Sequence, residues 1–178
     1  MKQKKCRACK KPFSPSYSSA QVVCSPSCAI DYGIQQRAKQ FRAETNRMRR
    51  EFNEKDKGYW KERAKRACHA YIRERDAHRG CVSCGITTGK FDAGHYRTRA
   101  AASQIMFCEW NIHRQCFQCN SAKSGNITEY RIELIRRVGL NQVEALENNN
   151  ATYRYTIDDY KDIEEYYKQK KADLLEAG

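Results

Sequence analysis

The stretches Cys81-Val-Ser-Cys-Gly85 and Cys116-Phe-Gln-Cys-Asn120 decide the fold of the central part of this chain. Two cysteines separated by two residues can direct both sulfurs from one tight turn at the same ion, and two such knuckles complete a tetrahedral thiolate site. We therefore predict a structural zinc ion held by the four cysteines of these stretches: Cys81, Cys84, Cys116 and Cys119.

A second set of paired cysteines lies near the start of the chain, in a segment that is too short to build a core and that holds all three prolines. Such a segment needs the binding free energy of a metal ion to fold. We predict that residues 1–30 form a zinc module whose ligands are Cys6, Cys9, Cys24 and Cys28. A redox Cys-x-x-Cys motif is the competing interpretation, but no βαβ pattern surrounds it. The two remaining cysteines, Cys68 and Cys108, are expected to be small buried hydrophobes.

The charge of the chain indicates its class of partner. Among 178 residues, 34 Lys and Arg stand against 21 Asp and Glu, which gives a net charge of +13. A surplus of this size makes a polyanion the default partner. No run of 18 apolar residues is present, so we expect no transmembrane helix, and no apolar segment follows the basic start to make a secretory signal. A reducing compartment is therefore expected.

Residues 31–79 are expected to form a basic helical arm. From residue 35 to residue 66 there are twelve Lys and Arg and five Asp and Glu. The spacing of seven from Phe41 to Met48 indicates a narrow apolar seam, and the helix is expected to break around Asp56-Lys57-Gly58. Three roles stay open for the arm: a solvated helix, a dimerising helix, or a contact with DNA phosphates through Arg47, Arg49 and Arg50.

Residues 127–178 are expected to form a helical region. A helix opening at Asn126-Ile-Thr128 should stop at Gly139, and a short helix should follow at 141–148. Thr156-Ile-Asp-Asp159 resembles a capping box and predicts a last helix to about Leu175.

Residues 80–126 hold the second knuckle pair and, between Cys84 and Cys116, an insert of 31 residues. Residues 91–97 read as a short strand, and 109–115 read as its antiparallel partner, which would carry Asn111. Strand alternation puts Asp92 and Gly94 on one face and His95 on the other. The second knuckle then runs into a helical turn or two that begins with Asn120.

These residue types fit the chemistry of phosphodiester cleavage. A neutral imidazole can deprotonate the attacking water, and His95 is the candidate base. A hard divalent ion such as magnesium or manganese prefers oxygen ligands, which Asp92 and Asn120 can offer. Asn111 can tie the two strands or the histidine loop together.

The arrangement resembles the HNH, or His-Me finger, nucleases, and among them the endonuclease VII type, in which four cysteines hold zinc around the site. More closely, the chain resembles the NinG/Rap recombination proteins of lambdoid phages. The resemblance is carried by Ala70-Tyr-Ile-Arg-Glu-Arg-Asp76, Cys81-Val-Ser-Cys-Gly85, Asp92-Ala-Gly-His-Tyr-Arg-Thr98, Asn111-Ile-His113, Gln115-Cys116, Cys119-Asn120 and Lys123-Ser-Gly-Asn126, and by the N-terminal cysteine pattern ending at Cys28. It implies an α+β fold with a small zinc-stabilised ββα-metal core. It also implies a structure-specific endonuclease that acts on branched recombination intermediates such as Holliday junctions and D-loops.

The sequence departs from the common HNH pattern at one position. The metal ligand that usually precedes the base is replaced by Gly94, so Asp92 would have to reach the ion from two residues earlier. His113 is a second candidate ligand or base. Lys123 could contact the scissile phosphate, and Arg97 and Arg99 are candidate phosphate contacts.

Two further classes of function compete with the nuclease. A non-catalytic zinc module could bind branched DNA or bridge proteins in recombination, but it has no need for the histidine and oxygen set. A thiol redox protein is disfavoured by the symmetric knuckle pairs. For the nuclease we expect a homodimer that works on DNA in the host cytoplasm, because two strands must be cut in one complex.

Overall fold

The computed structural model describes residues 3–177, and the chain divides into two compact units after Glu54. This division falls inside the segment 31–79 that the sequence suggested as one arm. Its first part belongs to the N-terminal unit and its second part to the C-terminal unit. Within the described residues, no helix is long and apolar enough to cross a membrane.

The N-terminal unit consists of two short strands and one long helix. Strands β1 (Lys4–Lys5) and β2 (Pro12–Phe13) pair antiparallel, and helix α1 spans Pro26–Glu54. The helix begins earlier than expected because Ser25 caps it: its Oγ accepts a hydrogen bond from the Cys28 N–H at 3.2 Å, and Pro26 occupies the first helical position. The Ser25-Pro26 pair, which resembles a turn in the sequence, therefore marks the start of α1.

The C-terminal unit is built from helices around a two-stranded sheet. Its helices are α2 (Lys57–Arg75), α3 (Ile127–Val138), α4 (Leu140–Asn148) and α5 (Ile157–Glu176). Its strands are β3 (Phe91–His95) and β4 (Ile112–Cys116), which pair antiparallel with His95 opposite Ile112. A single π-helical turn (Gln118–Ala122) follows β4. The unit is thus a mixed α and β fold, as the sequence predicts.

Local capping signals explain where the helices begin and end. The Asp56 carboxylate accepts the Gly58 N–H at 2.7 Å and starts α2 directly after the expected break. Thr156 and Asp159 form both hydrogen bonds of a capping box at the start of α5. Gly139, with φ of 87°, separates α3 from α4 in a conformation that L side chains rarely adopt.

Two apolar clusters form the core of the C-terminal unit. In the first, α2 packs on α5 and on the strands, with Cys68 and Ile72 fully buried against Tyr160 and Tyr167. Arg63 of α2 also makes a two-pronged ion pair with Glu164 of α5, at 2.6 and 2.7 Å. The second cluster joins α3 and α4 to the segment around the first knuckle. Tyr130 of this cluster also reaches β3, where its hydroxyl donates to the Gly94 carbonyl at 3.0 Å.

Both expected strands differ in the structure: β3 ends at His95 instead of residue 97, and β4 begins later than residue 109. Residues 109–111 form a 3₁₀ turn, and the strand begins only at Ile112. Asn111 therefore lies just before β4 rather than on it. The reason is its side chain, which is buried and bonds to the backbone of a neighbouring loop instead of alternating along a sheet.

Candidate functional site

The four cysteines near the N-terminus converge on one point. Their sulfurs all lie within 4.8 Å of one another, and two of the separations are 3.7 Å (Cys9 to Cys24) and 3.5 Å (Cys24 to Cys28). Sulfurs bound to zinc at about 2.3 Å in a tetrahedron are about 3.8 Å apart, whereas disulfide sulfurs lie at about 2.05 Å. The set Cys6, Cys9, Cys24 and Cys28 therefore has the spacing of a zinc site.

The second cysteine set has the same geometry inside the C-terminal unit. The sulfurs of Cys81, Cys84, Cys116 and Cys119 also lie within 4.8 Å of one another, with 3.7 Å between Cys84 and Cys116. Burial raises the pKa of the Cys81 thiol, but backbone N–H groups, led by that of Cys116, bring this pKa down to about 7. Thiolates are the form that binds metal. Both predicted clusters could therefore hold zinc, and all ten cysteines, which lie within residues 3–177, are free thiols.

A cavity of about 550 Å³ opens beside β3, and we call it the histidine pocket. Helix α2, strand β3, the loop after β3 and the segment after the second knuckle each provide part of its wall. Its lining residues are Lys65, His69, Asp92, Ala93, His95, Thr98, Arg99, Asn120, Ser124, Gly125 and Ile127. Three of the predicted site residues, His95, Asp92 and Asn120, thus meet in one cavity.

His95 is held in the pocket by a backbone hydrogen bond. Its Nε2 lies 3.0 Å from the carbonyl oxygen of Met106, so the neutral ring donates from Nε2 and leaves Nδ1 unprotonated. Burial lowers the pKa of His95 to about 4; the Met106 carbonyl opposes this shift, and the charges of Arg99 and Lys65 add to it. The ring is therefore neutral at physiological pH, which is the form that accepts a proton.

A second histidine, His69 of α2, lies next to His95 in the pocket. The two ring centroids are 5.4 Å apart, and His69 Nε2 is buried without a hydrogen-bond partner. Burial lowers the pKa of His69 to about 3, with the neighbouring His95 and Arg99 charges acting in the same direction. A buried polar nitrogen without a partner costs about 1–3 kcal/mol, so its place in a cavity wall is consistent with a ligand that supplies the missing bond.

Asp92 and Asn120 contact each other across the pocket, although 28 residues separate them. The Asn120 amide lies 3.5 Å from the Asp92 carboxylate, and the carboxylate is exposed. Strand alternation predicted that Asp92 and His95 lie on opposite faces, but both line the same cavity. His95 is the last residue of β3, where the chain leaves the sheet and the alternation no longer governs direction.

The structure explains why a glycine precedes His95. A Cβ on Gly94 would lie 2.1 Å from Gln115 Oε1 on β4, so no side chain fits there. The Gln115 amide group also donates to the Gly125 carbonyl at 2.6 Å and to Ser83 Oγ at 2.7 Å. Gln115 thus occupies the space that a ligand at position 94 would need, and it ties the pocket wall to the first knuckle.

Asn111 holds the loop that follows His95. Its Oδ1 accepts from the Arg97 N–H at 2.8 Å, and its Nδ2 donates to the carbonyls of Arg97 and Ile105 at 3.1 and 3.2 Å. It is fully buried and does not line the histidine pocket. Its geometry is that of a support for the histidine loop, not of a group that contacts a substrate.

Two other predicted site residues lie outside the pocket. His113 is 3% exposed, and its Nδ1 lies 3.3 Å from the hydroxyl of Tyr130, so it packs in the interior. Tyr130 of α3 packs edge-on against the His113 ring and separates it from the pocket's side of the sheet. Lys123 is exposed at the end of the π-helical turn and does not line the cavity. The structure therefore brings neither residue to His95.

The predicted phosphate-binding arginines differ in their surroundings. Arg99 is exposed and lines the pocket. Arg97 is engaged elsewhere: its guanidinium donates to the carbonyls of Leu146 and Asn149 at 2.7 and 2.6 Å, which anchors the end of α4. In the N-terminal unit, Arg47, Arg49 and Arg50 are exposed on α1, and Arg47 lies 3.8 Å from Glu51.

Sequence reasoning missed the contribution of α2 to the pocket. Lys65 and His69 are one helical turn apart and therefore share a face, next to the buried stripe that contains Ala64 and Cys68. The only signal in the sequence was the position of His69 at the edge of the buried stripe of α2. That position does not reveal which cavity this face of α2 borders, because the cavity is formed by contacts between segments distant in sequence.

Comparison with known proteins gives a consistent result over the whole chain. Residues 1–176 match the model of the family described as Bacteriophage Lambda NinG protein. The chain is 41% identical to "Protein ninG" of Escherichia phage 933W, over 97% of this chain and 94% of the relative. It is 41% identical to the protein of that name from Escherichia phage lambda, over 93% and 89% of the two chains, and 39% identical to that from Salmonella phage P22, over 95% and 91%.

No solved structure matches the chain. The family match and the relatives each cover most of the sequence, and the family match includes both cysteine clusters and the residues of the histidine pocket. The chain therefore belongs to the NinG family of phage proteins.

Proposed function

We propose that this protein is a metal-dependent endonuclease that cleaves branched DNA, such as Holliday junctions and D-loops, during phage recombination. The observation that carries the proposal is the meeting of His95 with the Asp92–Asn120 pair in one cavity beside a cysteine cluster. A module that only binds DNA has no need for a neutral, backbone-anchored imidazole that shares a cavity with an aspartate and an asparagine. The order β3, β4, helical turn supports a ββα-metal core.

In this proposal His95 is the general base. Its Nε2–H stays bonded to the Met106 carbonyl, so Nδ1 takes the proton from the attacking water. The water oxygen then bonds to phosphorus, and the bond from phosphorus to the leaving sugar oxygen breaks. The fixed tautomer means that the ring needs no reorientation before the step.

The Asp92 carboxylate and the Asn120 amide oxygen would hold a hard divalent ion, magnesium or manganese. The donor types fit such an ion, since a carboxylate and an amide each offer an oxygen and Asp92 is open to solvent. The Asn120 amide, whose nitrogen faces Asp92 at 3.5 Å, would turn over to offer its oxygen to the ion. When bound, the ion would stabilise negative charge on the phosphate and on the leaving oxygen. The thiolate clusters are chemically distinct and suit zinc.

The remaining polar residues of the pocket would position the scissile phosphate. Lys65 of α2 and Arg99 of the loop after β3 both line the pocket and carry positive charge. His69 Nε2 has no hydrogen-bond partner among residues 3–177 and can hydrogen-bond a phosphate oxygen after a small shift of the ring. These contacts are to the backbone of DNA and carry no base preference, which suits recognition of branched structure over sequence.

The test compares a labelled four-way junction with a linear duplex, with and without magnesium, for the wild type and His95→Ala. We expect the loss of a general base to lower the cleavage rate by about 10²–10⁴ and to leave junction binding and zinc content unchanged. His78→Ala is the matched control, because His78 is exposed and lies outside the pocket.

Each outcome of this assay has a distinct meaning. Magnesium-dependent cleavage that His95→Ala abolishes and His78→Ala retains supports the proposal. Junction binding without cleavage by the wild type would reject it in favour of a non-catalytic recombination accessory protein. Cleavage that His95→Ala retains would remove His95 from the chemical step.

A further inference from the structure

Helix α1 carries a stripe of large apolar side chains that are exposed, and we call it the α1 stripe. None of the residues of this helix is buried. The stripe consists of Ile30, Ile34, Phe41, Met48 and Phe52, which are 65%, 53%, 71%, 54% and 71% exposed. Scattered apolar residues are normal on a surface, but a continuous line of five marks a contact site.

The stripe is straight along the helix. At about 100° per residue, the five positions fall in a sector about 40° wide, and they extend over about 33 Å at 1.5 Å per residue. Three of them, Ile30, Phe41 and Phe52, recur every eleven residues, a period that keeps a seam nearly parallel to the axis. The stripe is thus shaped to receive another straight helix.

The stripe is symmetric about Phe41 when the chain is read in either direction. Ile34 and Met48 lie seven residues to each side, and Ile30 and Phe52 lie eleven residues to each side. We propose that α1 pairs antiparallel with α1 of a second copy of this chain, with Phe41 of each copy at the centre. Every apolar residue of the stripe then meets an apolar residue of the partner, which is the self-complementarity that a two-fold interface requires.

Two pairs of opposite charges beside the stripe fit the same pairing, against one like-charge approach, of Arg42 to the partner's Arg42. In an antiparallel pair, residues on the same flank of the two helices meet. Arg37 then lies about 1.5 Å along the axis from the level of the partner's Glu44, and Asp31 lies about 3 Å from the level of the partner's Arg49. Both contacts occur twice by symmetry and join opposite charges.

A parallel, in-register pair is disfavoured by the same residues. It would place Arg37 opposite the partner's Arg37 and Glu44 opposite the partner's Glu44, and like charges at such positions destabilise a helix pair. The apolar nature of the stripe also disfavours DNA as its occupant, because phosphates are bound by cations. The second copy is therefore the partner that the stripe fits best.

The first test measures the mass of the full-length, zinc-loaded protein in solution by sedimentation equilibrium. We expect twice the 20.8 kDa of one chain for the wild type and a single chain for Phe41→Glu. The matched control is Ala43→Glu, which adds the same charge to an exposed position on the opposite face of α1 and should stay dimeric. Helix content and zinc content would verify that both variants are folded.

The second test addresses the direction of the pair. Arg37→Glu should raise the dissociation constant of the dimer by roughly tenfold, because it acts at two symmetric contacts, and adding Glu44→Arg should restore it. Tighter association of Arg37→Glu would indicate a parallel pair and overturn the proposal. A monomeric wild type, a dimeric Phe41→Glu, or a monomeric Ala43→Glu would also overturn it.

The measurement needs neither DNA nor magnesium, so it is independent of the proposed nuclease function. An inactive protein that is dimeric through α1 would reject the nuclease and keep the dimer. An active protein that is monomeric would reject the dimer and keep the nuclease.

Discussion

At the scale of a single residue, Gln115 supports the wall of the histidine pocket from behind, through its bond to Gly125. It fills the space beside Gly94, and its amide group reaches both the Gly125 carbonyl of the pocket wall and Ser83 of the first knuckle. Gln115 therefore leaves no room for a metal ligand at position 94, directly before His95. It instead links β4 to the pocket wall and to the first knuckle. Asp92 is left as the acidic residue of β3 that can reach an ion.

Gly94→Ala should destabilise the C-terminal unit by about 1–3 kcal/mol, the usual cost of overpacking, because its Cβ would meet Gln115 Oε1 at 2.1 Å. Urea unfolding followed by circular dichroism measures this cost. In a Gln115→Ala background the same change should cost less, since Oε1 and Cδ are gone and only the Cβ of residue 115, at 2.9 Å, still obstructs. Equal costs in the two backgrounds would show that the backbone at Gly94, and not Gln115, excludes a side chain.

At the scale of the elements, local signals were sufficient for the helices. The capping box at Thr156, the stop at Gly139 and the break before Gly58 all act within a few residues, and the structure confirms them. The two cysteine clusters were equally predictable, because knuckle spacing is a local property.

The walls of the pocket were less predictable. His69 reaches His95 only because α2 packs on α5 and the strands, and Arg97 is diverted from solvent by the end of α4. Both facts depend on contacts between segments far apart in the chain. Periodicity and spacing do not encode such contacts, so the sequence indicated His95, Asp92 and Asn120 but not their neighbours in the pocket.

The second cysteine cluster should be required for folding of the segment that carries the pocket. Cys84→Ser should reduce bound zinc from two ions per chain to one and should abolish the cooperative unfolding of the C-terminal unit, since metal binding there is also folding free energy. Cys68→Ser, which changes a buried cysteine outside both clusters, should retain two zinc ions. Elemental analysis of the reduced, purified variants measures both; a protein without zinc would contradict the assignment of both clusters.

At the scale of the whole molecule, the surplus of 13 positive charges would govern the proposed encounter with DNA. Exposed arginines are present on α1 as well as at the pocket, where Arg99 lies. Such a distribution favours binding to the DNA backbone of any sequence and makes affinity depend on the counterions that are released.

If about six phosphates are neutralised, the logarithm of the binding constant should fall with a slope of roughly −5 against the logarithm of salt concentration. Reversing Arg47 and Arg50, which point away from the α1 stripe, should weaken junction and duplex alike and reduce that slope by about two. Fluorescence anisotropy over a series of salt concentrations measures both quantities. An unchanged slope would remove α1 from the DNA-binding surface.

The packing of α2 on α5 also has a consequence for when the protein becomes competent during its synthesis. Every residue that lines the histidine pocket lies before residue 128, and both cysteine clusters are complete by residue 119. The helix that supports the wall carrying Lys65 and His69 nevertheless begins only at Ile157. A nascent chain that has left the ribosome up to α4 therefore holds all the groups of the pocket without the element that fixes them. In a protein proposed to cut DNA, the pocket would therefore be fixed only after α5 is synthesised. Incomplete chains would not cleave DNA.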